Sequence, residues 1–95
     1  MNKGELVDQV AKMASVTKKQ ADAVITATFE AIMEAVSEGD KVTMVGFGSF
    51  ERRERKAREG RNPKTGEKMD IPATQVPAFS AGKQFREKVA PPKES

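Results

Sequence analysis

From Glu51 to Glu59 the chain runs nine residues without a glycine or proline and with almost nothing apolar. Such a segment can pair as a β-strand but has no face to bury, so it has to leave the body of the domain. The next seven residues, Gly60-Arg61-Asn62-Pro63-Lys64-Thr65-Gly66, are dense in turn formers, with Pro63 suited to the second position of a type I turn. Met69, Ile71 and Ala73 then resume strand alternation, and Val76 and Phe79 mark the return to a core. The pattern predicts a protruding two-stranded ribbon over about residues 52–76. Pro72 and Pro77 fit it only at edges or bulges, where no inward ladder hydrogen bond is demanded. A two-stranded ribbon alone is marginally stable in water, so this arm is expected to be mobile until a ligand orders it.

The body reads as helices followed by strands. Asn2 with Glu5 forms a capping box, and Leu6, Val10 and Met13 recur at helical spacing, predicting a first helix from about Lys3 to Ala14. Thr17 and Gln20 open a second, longer helix that closes at Gly39. It carries two apolar rows, Ile25, Phe29, Ile32 and Val36 beside Ala21, Val24, Thr28, Ala31 and Ala35, a stripe wider than one short helix can cover. After Asp40 the period changes to two, giving two short antiparallel strands joined at a glycine turn within Val42 to Phe50. Ser80 is expected to cap a last helix holding Phe85 and Val89, which Pro91 ends. The fold class is α+β, in the order ααβββα.

Ninety-five residues make one domain, placed at 1–90, with a polar flexible tail at 91–95. A chain this short buries only about 60–65% of the surface its unfolded form exposes, so self-association is expected. The absence of cysteine and histidine removes thiolate nucleophiles, imidazole bases and the usual zinc ligands. No catalytic residue, metal site, cofactor or small-molecule substrate is therefore expected. The N-terminal MNKGELVDQV has acids where a secretion signal needs an apolar run, and no stretch approaches a membrane span, which predicts a cytosolic protein without a membrane partner.

The net charge of +3 hides a segregated distribution. Residues 1–51 net −3 and residues 69–95 net +1, while residues 52–68 hold eight basic against three acidic side chains. Unbroken alternation would put Arg53, Arg55 and Arg61 on one face of the ribbon and Arg52, Lys56 and Arg58 on the other. Cations on both faces suit a ribbon lying in a groove of duplex DNA, which presents about one negative charge per 1.7 Å of axis. Arginine outnumbers lysine five to three in this stretch, and its weakly hydrated planar head suits narrow grooves. The bland alternative is a solvated charged hairpin. Pro63 has two readings that can hold together: it shapes the turn, or its rigid ring wedges between base steps.

Gly46-Phe47-Gly48-Ser49-Phe50, Gly60-Arg61-Asn62-Pro63-Lys64-Thr65-Gly66, Ile71-Pro72-Ala73 and Val76-Pro77-Ala78-Phe79 closely resemble the bacterial histone-like HU family, related to integration host factor. Met1-Asn2-Lys3 and Gly82-Lys83 look similar too, so the likeness spans nearly the whole chain. The resemblance implies an intertwined homodimer with a helical base, a small antiparallel sheet and two protruding arms. Those arms would bind duplex DNA in the minor groove with little sequence specificity, a docking mode that comes with the family rather than from charge or spacing. Pro63 of each arm would intercalate at a kink. Arg53, Arg55, Arg58 and Arg61 would be arm contacts, joined by Asn62, Lys64, Lys68 and Gln75. Lys3, Lys18, Lys83 and Arg86 would be body contacts to flanking phosphates. Phe47, Phe50 and Phe79, with Phe29, would form the aromatic dimer core, the alternative being exposed rings that stack on bases.

In function the resemblance implies compaction and organisation of the nucleoid in the bacterial cytoplasm. Selectivity should follow deformability, favouring bent, nicked or gapped duplex, and RNA stays open as a second partner. Ser15 stands at a turn where many members of the family carry glycine, which bears on stability. Three rival readings compete with this one. A ribbon for an acidic protein or anionic lipid would be competed away by duplex. A helix-turn-helix is disfavoured because the second helix offers Ala, Val, Ile and Phe where base edges need polar groups. A Ser49 or Ser80 hydrolase lacks any specified base.

Overall fold

In the computed structural model, which describes residues 1–92, helix α1 spans Lys3–Ala14 and α2 spans Lys18–Ser37. Both starts follow from local chemistry. The Oδ1 of Asn2 accepts the Glu5 backbone N–H at 2.9 Å. Thr17 and Gln20 exchange two bonds, the Gln20 N–H donating to Thr17 Oγ1 at 3.1 Å and the Thr17 N–H to Gln20 Oε1 at 3.0 Å. Between the helices Ser15 adopts the left-handed conformation, φ 56°, and the Val16 N–H reaches back to the Ala11 carbonyl at 3.1 Å.

The molecule divides into two compact units, Met1–Glu34 and the residues from Ala35 onward. In the first, Val7 and Ala11 of α1 close on Ala21 and Ile25 of α2, with Leu6 and Val10 partly buried against them. Met13, expected on the same stripe, is exposed, because the row that turns inward is Val7 and Ala11 and the short helix has ended before another turn can follow. The wide stripe of α2 stays half uncovered: Val24, Phe29 and Met33 are all exposed.

In the second unit, β1 (Val42–Met44), β2 (Gly48–Arg55) and β5 (Thr74–Ala81) form an antiparallel sheet in the order β1-β2-β5. β3 (Arg58–Arg61) and β4 (Lys68–Ile71) form a separate two-stranded ribbon. α3 (Lys83–Val89) follows, so the expected α+β order holds with each long arm strand cut in two. The cut is a correction to the continuous strand expected from Glu51 to Glu59. The last sheet pair is Arg55 with Thr74 and the first ribbon pair is Arg58 with Ile71, so two residues on each side interrupt the ladder without a slip in register. Pro72 lies in the gap and has no N–H to give. Pro77 is tolerated inside β5 because that strand has a partner on one side only.

Ser80 does not cap α3. It pairs with Ser49 inside β5, and Gly82 holds the cap position with no side-chain bond. The helix is instead seated by the glycine loop between β1 and β2: the Gly82 N–H donates to the Phe47 carbonyl at 2.8 Å and the Phe85 N–H to the Gly46 carbonyl at 3.2 Å. Gly48, at the start of β2, lets that strand lie close against β5. Its φ is 155°, and a Cβ there would stand 2.5 Å from the Ser80 carbonyl and 2.7 Å from the Phe79 ring. The tail placed at 91–95 falls partly at residues 93–95, which lie outside the described residues.

Candidate nucleic-acid interface

The cationic stretch divides into a root on the sheet and a distal ribbon. At the root, Arg52 and Arg53 are already engaged. Arg52 donates from Nη1 to the Ser37 carbonyl at 3.1 Å, giving the C-terminus of α2 the positive charge that its own last turn lacks. Arg53 pairs with Glu51 through Nη2 at 2.8 Å and Nε at 2.9 Å, and Nη2 also donates to Ser80 Oγ at 3.0 Å. Arg55, at the end of β2, is exposed, as is Gln75, which lies opposite Glu54 in β5. The ladder breaks after Arg55 and resumes at Arg58, so the unbroken alternation of faces expected from Glu51 to Arg61 is interrupted at Lys56 and Ala57.

The distal ribbon sets like charges against each other. Glu59 faces Asp70, and nearer the tip Arg61 faces Lys68. Such pairs weaken a ribbon that has only Ile71 and Gly60 half-buried within it. Arg58 pairs with Ile71 and is exposed. Beyond Arg61 and Lys68 the tip is closed by the Asn62 N–H donating to the Glu67 carbonyl at 2.9 Å. Pro63 is the second residue of the turn, as expected, but the turn closes one residue later than a type I turn would, the Gly66 N–H reaching the Asn62 carbonyl at 2.7 Å. Gly66 completes the reversal in the left-handed region, φ 72°. Pro63 and Lys64 are exposed at the apex. The arrangement therefore places three cations, Arg61, Lys64 and Lys68, around a rigid apolar ring.

Of the four body cations, Lys3 and Lys18 lie in the first unit and Lys83 and Arg86 in the second. Lys3 donates to Thr26 Oγ1 at 2.8 Å and stands 3.6 Å from Asp22; Lys18 stands 3.3 Å from Asp8; Lys83 stands 3.9 Å from Glu87. All three are exposed ion pairs of small energetic weight. Arg86 is exposed and pairs with no acid among the described residues.

Phe47, Phe50 and Phe79 do come together, with ring centroids from 4.8 Å (Phe50 and Phe79) to 6.5 Å (Phe47 and Phe50) apart. Phe85 joins them, stacked 5.4 Å from Phe47. The sequence does not mark it as a member, since its place in a short helix gives no local sign that the helix seats on the glycine loop. Phe47 and Phe79 remain 44% and 41% exposed, and Phe29, on α2 in the other unit, 47%. Among the described residues there is no group of acidic side chains fit to hold a metal ion, and no helix is long and apolar enough to cross a membrane.

Residues 1–90 match the family described as bacterial DNA-binding protein. The chain belongs to that family. The family is one of DNA-binding proteins rather than enzymes, and the resemblance to its HU members is borne out by individual relatives. The DNA-binding protein HU of Nostoc sp. PCC 7120 is 84% identical over 93 residues, covering 98% of this chain and 99% of the relative. That of Synechocystis sp. PCC 6803 is 68% identical with the same coverage. Among solved structures, an Anabaena HU–DNA cocrystal matches with a TM-score of 0.93 at 84% identity, over 97% of this chain and 100% of that one. HU from Thermotoga maritima matches at 0.67 and 38% identity, over 94% of this chain and 98% of that one. The α+β fold is thus that of the bacterial DNA-binding family.

Proposed function

We propose that this protein is an architectural DNA-binding protein that works as a homodimer, holds duplex DNA with two cationic ribbons in the minor groove, and kinks it with Pro63. The observation that carries the reading is the tip of the ribbon. Arg61 and Lys68 face each other directly across two strands, and Lys64 and Pro63 stand exposed above them. A free protein gains nothing from that repulsion, whereas a phosphate backbone relieves it.

Arg55, Arg58, Arg61, Lys64 and Lys68 supply phosphate and groove contacts, with Gln75 beside them on β5. Arg53 can join them on exchanging Glu51 for phosphate. Lys3, Lys18, Lys83 and Arg86 take flanking phosphates as the duplex bends back toward the body. Bending a 20–30 base-pair site by 40–90° costs of order 1–6 kcal/mol, and unstacking at the wedge costs a few more, so many charge contacts are needed to offset it. Few arm side chains suit bidentate base reading, and the minor groove separates little beyond A·T from G·C. Selectivity then follows deformability, which favours nicked, gapped or already bent duplex. Binding of this kind, repeated along a chromosome, compacts and organises DNA in the bacterial nucleoid.

The dimer is supported by exposed apolar surface. Among the described residues the buried hydrophobic side chains are Val7, Ala11, Ala21, Ile25 and Val36, while Phe47, Phe79 and Phe85 of the ring cluster, Val24, Met33 and a 99% exposed Val45 stay open to water. A second copy is the partner that fits. The direct test of the wedge is Pro63→Ala in a single-molecule bending assay: the bend angle should fall sharply while affinity for intact duplex falls less. An unchanged bend angle would overturn the proline reading.

A further inference from the structure

We propose that Asn62 is a positioning residue: it holds the tip loop in the shape that presents Pro63, and acts on DNA through that proline rather than by touching the duplex. The inference rests on the wedge reading of Pro63 given above. Three groups of this one residue close the loop. Its N–H donates to the Glu67 carbonyl at 2.9 Å across the ribbon, its carbonyl accepts the Gly66 N–H at 2.7 Å, and its Oδ1 accepts the Lys64 N–H at 2.9 Å. These bonds straddle Pro63. The side-chain bond fixes the peptide that follows the proline, and the two backbone bonds fix the ends of the loop.

Proline has a locked φ but a free ψ, and its neighbours decide where the ring points. A bond from the Asn62 side chain to the N–H two residues on spans that freedom, as such turns do. Burial agrees with an inward role: Asn62 is half-buried while Pro63, Lys64 and Thr65 are exposed. Thr65 adds a longer bond, its Oγ1 accepting the Glu67 N–H at 3.3 Å, which fixes the far side of the turn but not the proline. A loop without the Asn62 bond samples other shapes, and the wedge inserts only from the competent fraction. Loss of one such bond shifts that fraction about three- to tenfold.

The test uses the full chain with Asn62→Ala, Asn62→Ser and Pro63→Ala, and a duplex carrying 2-aminopurine beside a nick. Three quantities are read: the fluorescence rise on unstacking, affinity for nicked and intact duplex, and the melting temperature of the free protein. Pro63→Ala should abolish the fluorescence rise. Asn62→Ala should weaken the fluorescence rise and cut the preference for nicked over intact duplex about three- to tenfold, with the melting temperature unchanged. Asn62→Ser keeps a short side-chain acceptor and should recover most of the loss. Equal losses in the Ala and Ser variants, or an equal fall on both duplexes, would make Asn62 a direct DNA contact and overturn the inference. So would a wild-type response of Asn62→Ala alongside a lost response of Pro63→Ala. A wild-type fluorescence rise in Pro63→Ala would instead remove the wedge reading itself.

Discussion

Single residues in this chain carry backbone duties that their neighbours cannot share. Ser15 holds a left-handed conformation at φ 56°, where a side chain costs about 1–2 kcal/mol that glycine does not incur. Glycine also loses roughly 0.5–1 kcal/mol through its freer unfolded state. Ser15→Gly should therefore raise the melting temperature by a few degrees with no change in DNA binding. Gly48→Ala is the opposite case, because its Cβ would collide with the Ser80 carbonyl and the Phe79 ring. It should destabilise the protein by more than about 2 kcal/mol, a loss read in the same melting experiment. A higher melting temperature in Gly48→Ala would contradict the packing described. The two capping residues, Asn2 and Thr17, were legible in the sequence because their partners lie three positions away. The bonds of Arg52 to Ser37 and of Arg53 to Ser80 were not, since they span 15 and 27 positions and depend on the sheet being in place.

At the scale of elements, the ribbon's existence was legible from what Glu51 to Glu59 lack, and its reversal from the turn formers around Pro63. The break after Arg55 was not. Its place depends on which residue Pro72 lies opposite, and that register is fixed by a tip loop whose closing bond falls at Gly66 rather than Thr65. Ser80 illustrates the same limit: a serine before a helical run looks like a cap until the strand pairing that consumes it is known. The register has a consequence of its own for Lys68. Lys68→Glu would turn the repulsion with Arg61 into attraction, so it should slow amide exchange in β3 and β4 of the free protein while weakening DNA binding. In the wild type the same amides should exchange faster than those of β2 and α2. Equal protection in ribbon and body, or tighter DNA binding by Lys68→Glu, would count against the ribbon as described.

On the proposed reading, the apolar surface and the charge of the molecule serve different partners. The half-exposed rings of Phe47 and Phe79, together with Phe29, suit a second copy of the chain, and the ribbon suits a polyanion. Sedimentation at micromolar concentration should show twice the chain mass, and a stable folded monomer would leave the ring cluster without an explanation. With two arms and a body supplying about eight to ten phosphate contacts, log K should fall with log salt at a slope of about −7 to −9. The decisive measurement is a binding titration of intact and nicked duplexes of one sequence across a series of salt concentrations. That steep slope is expected on both, with the nicked duplex bound more tightly at every concentration. A slope shallower than about −3, or identical affinities for the two duplexes, would contradict it.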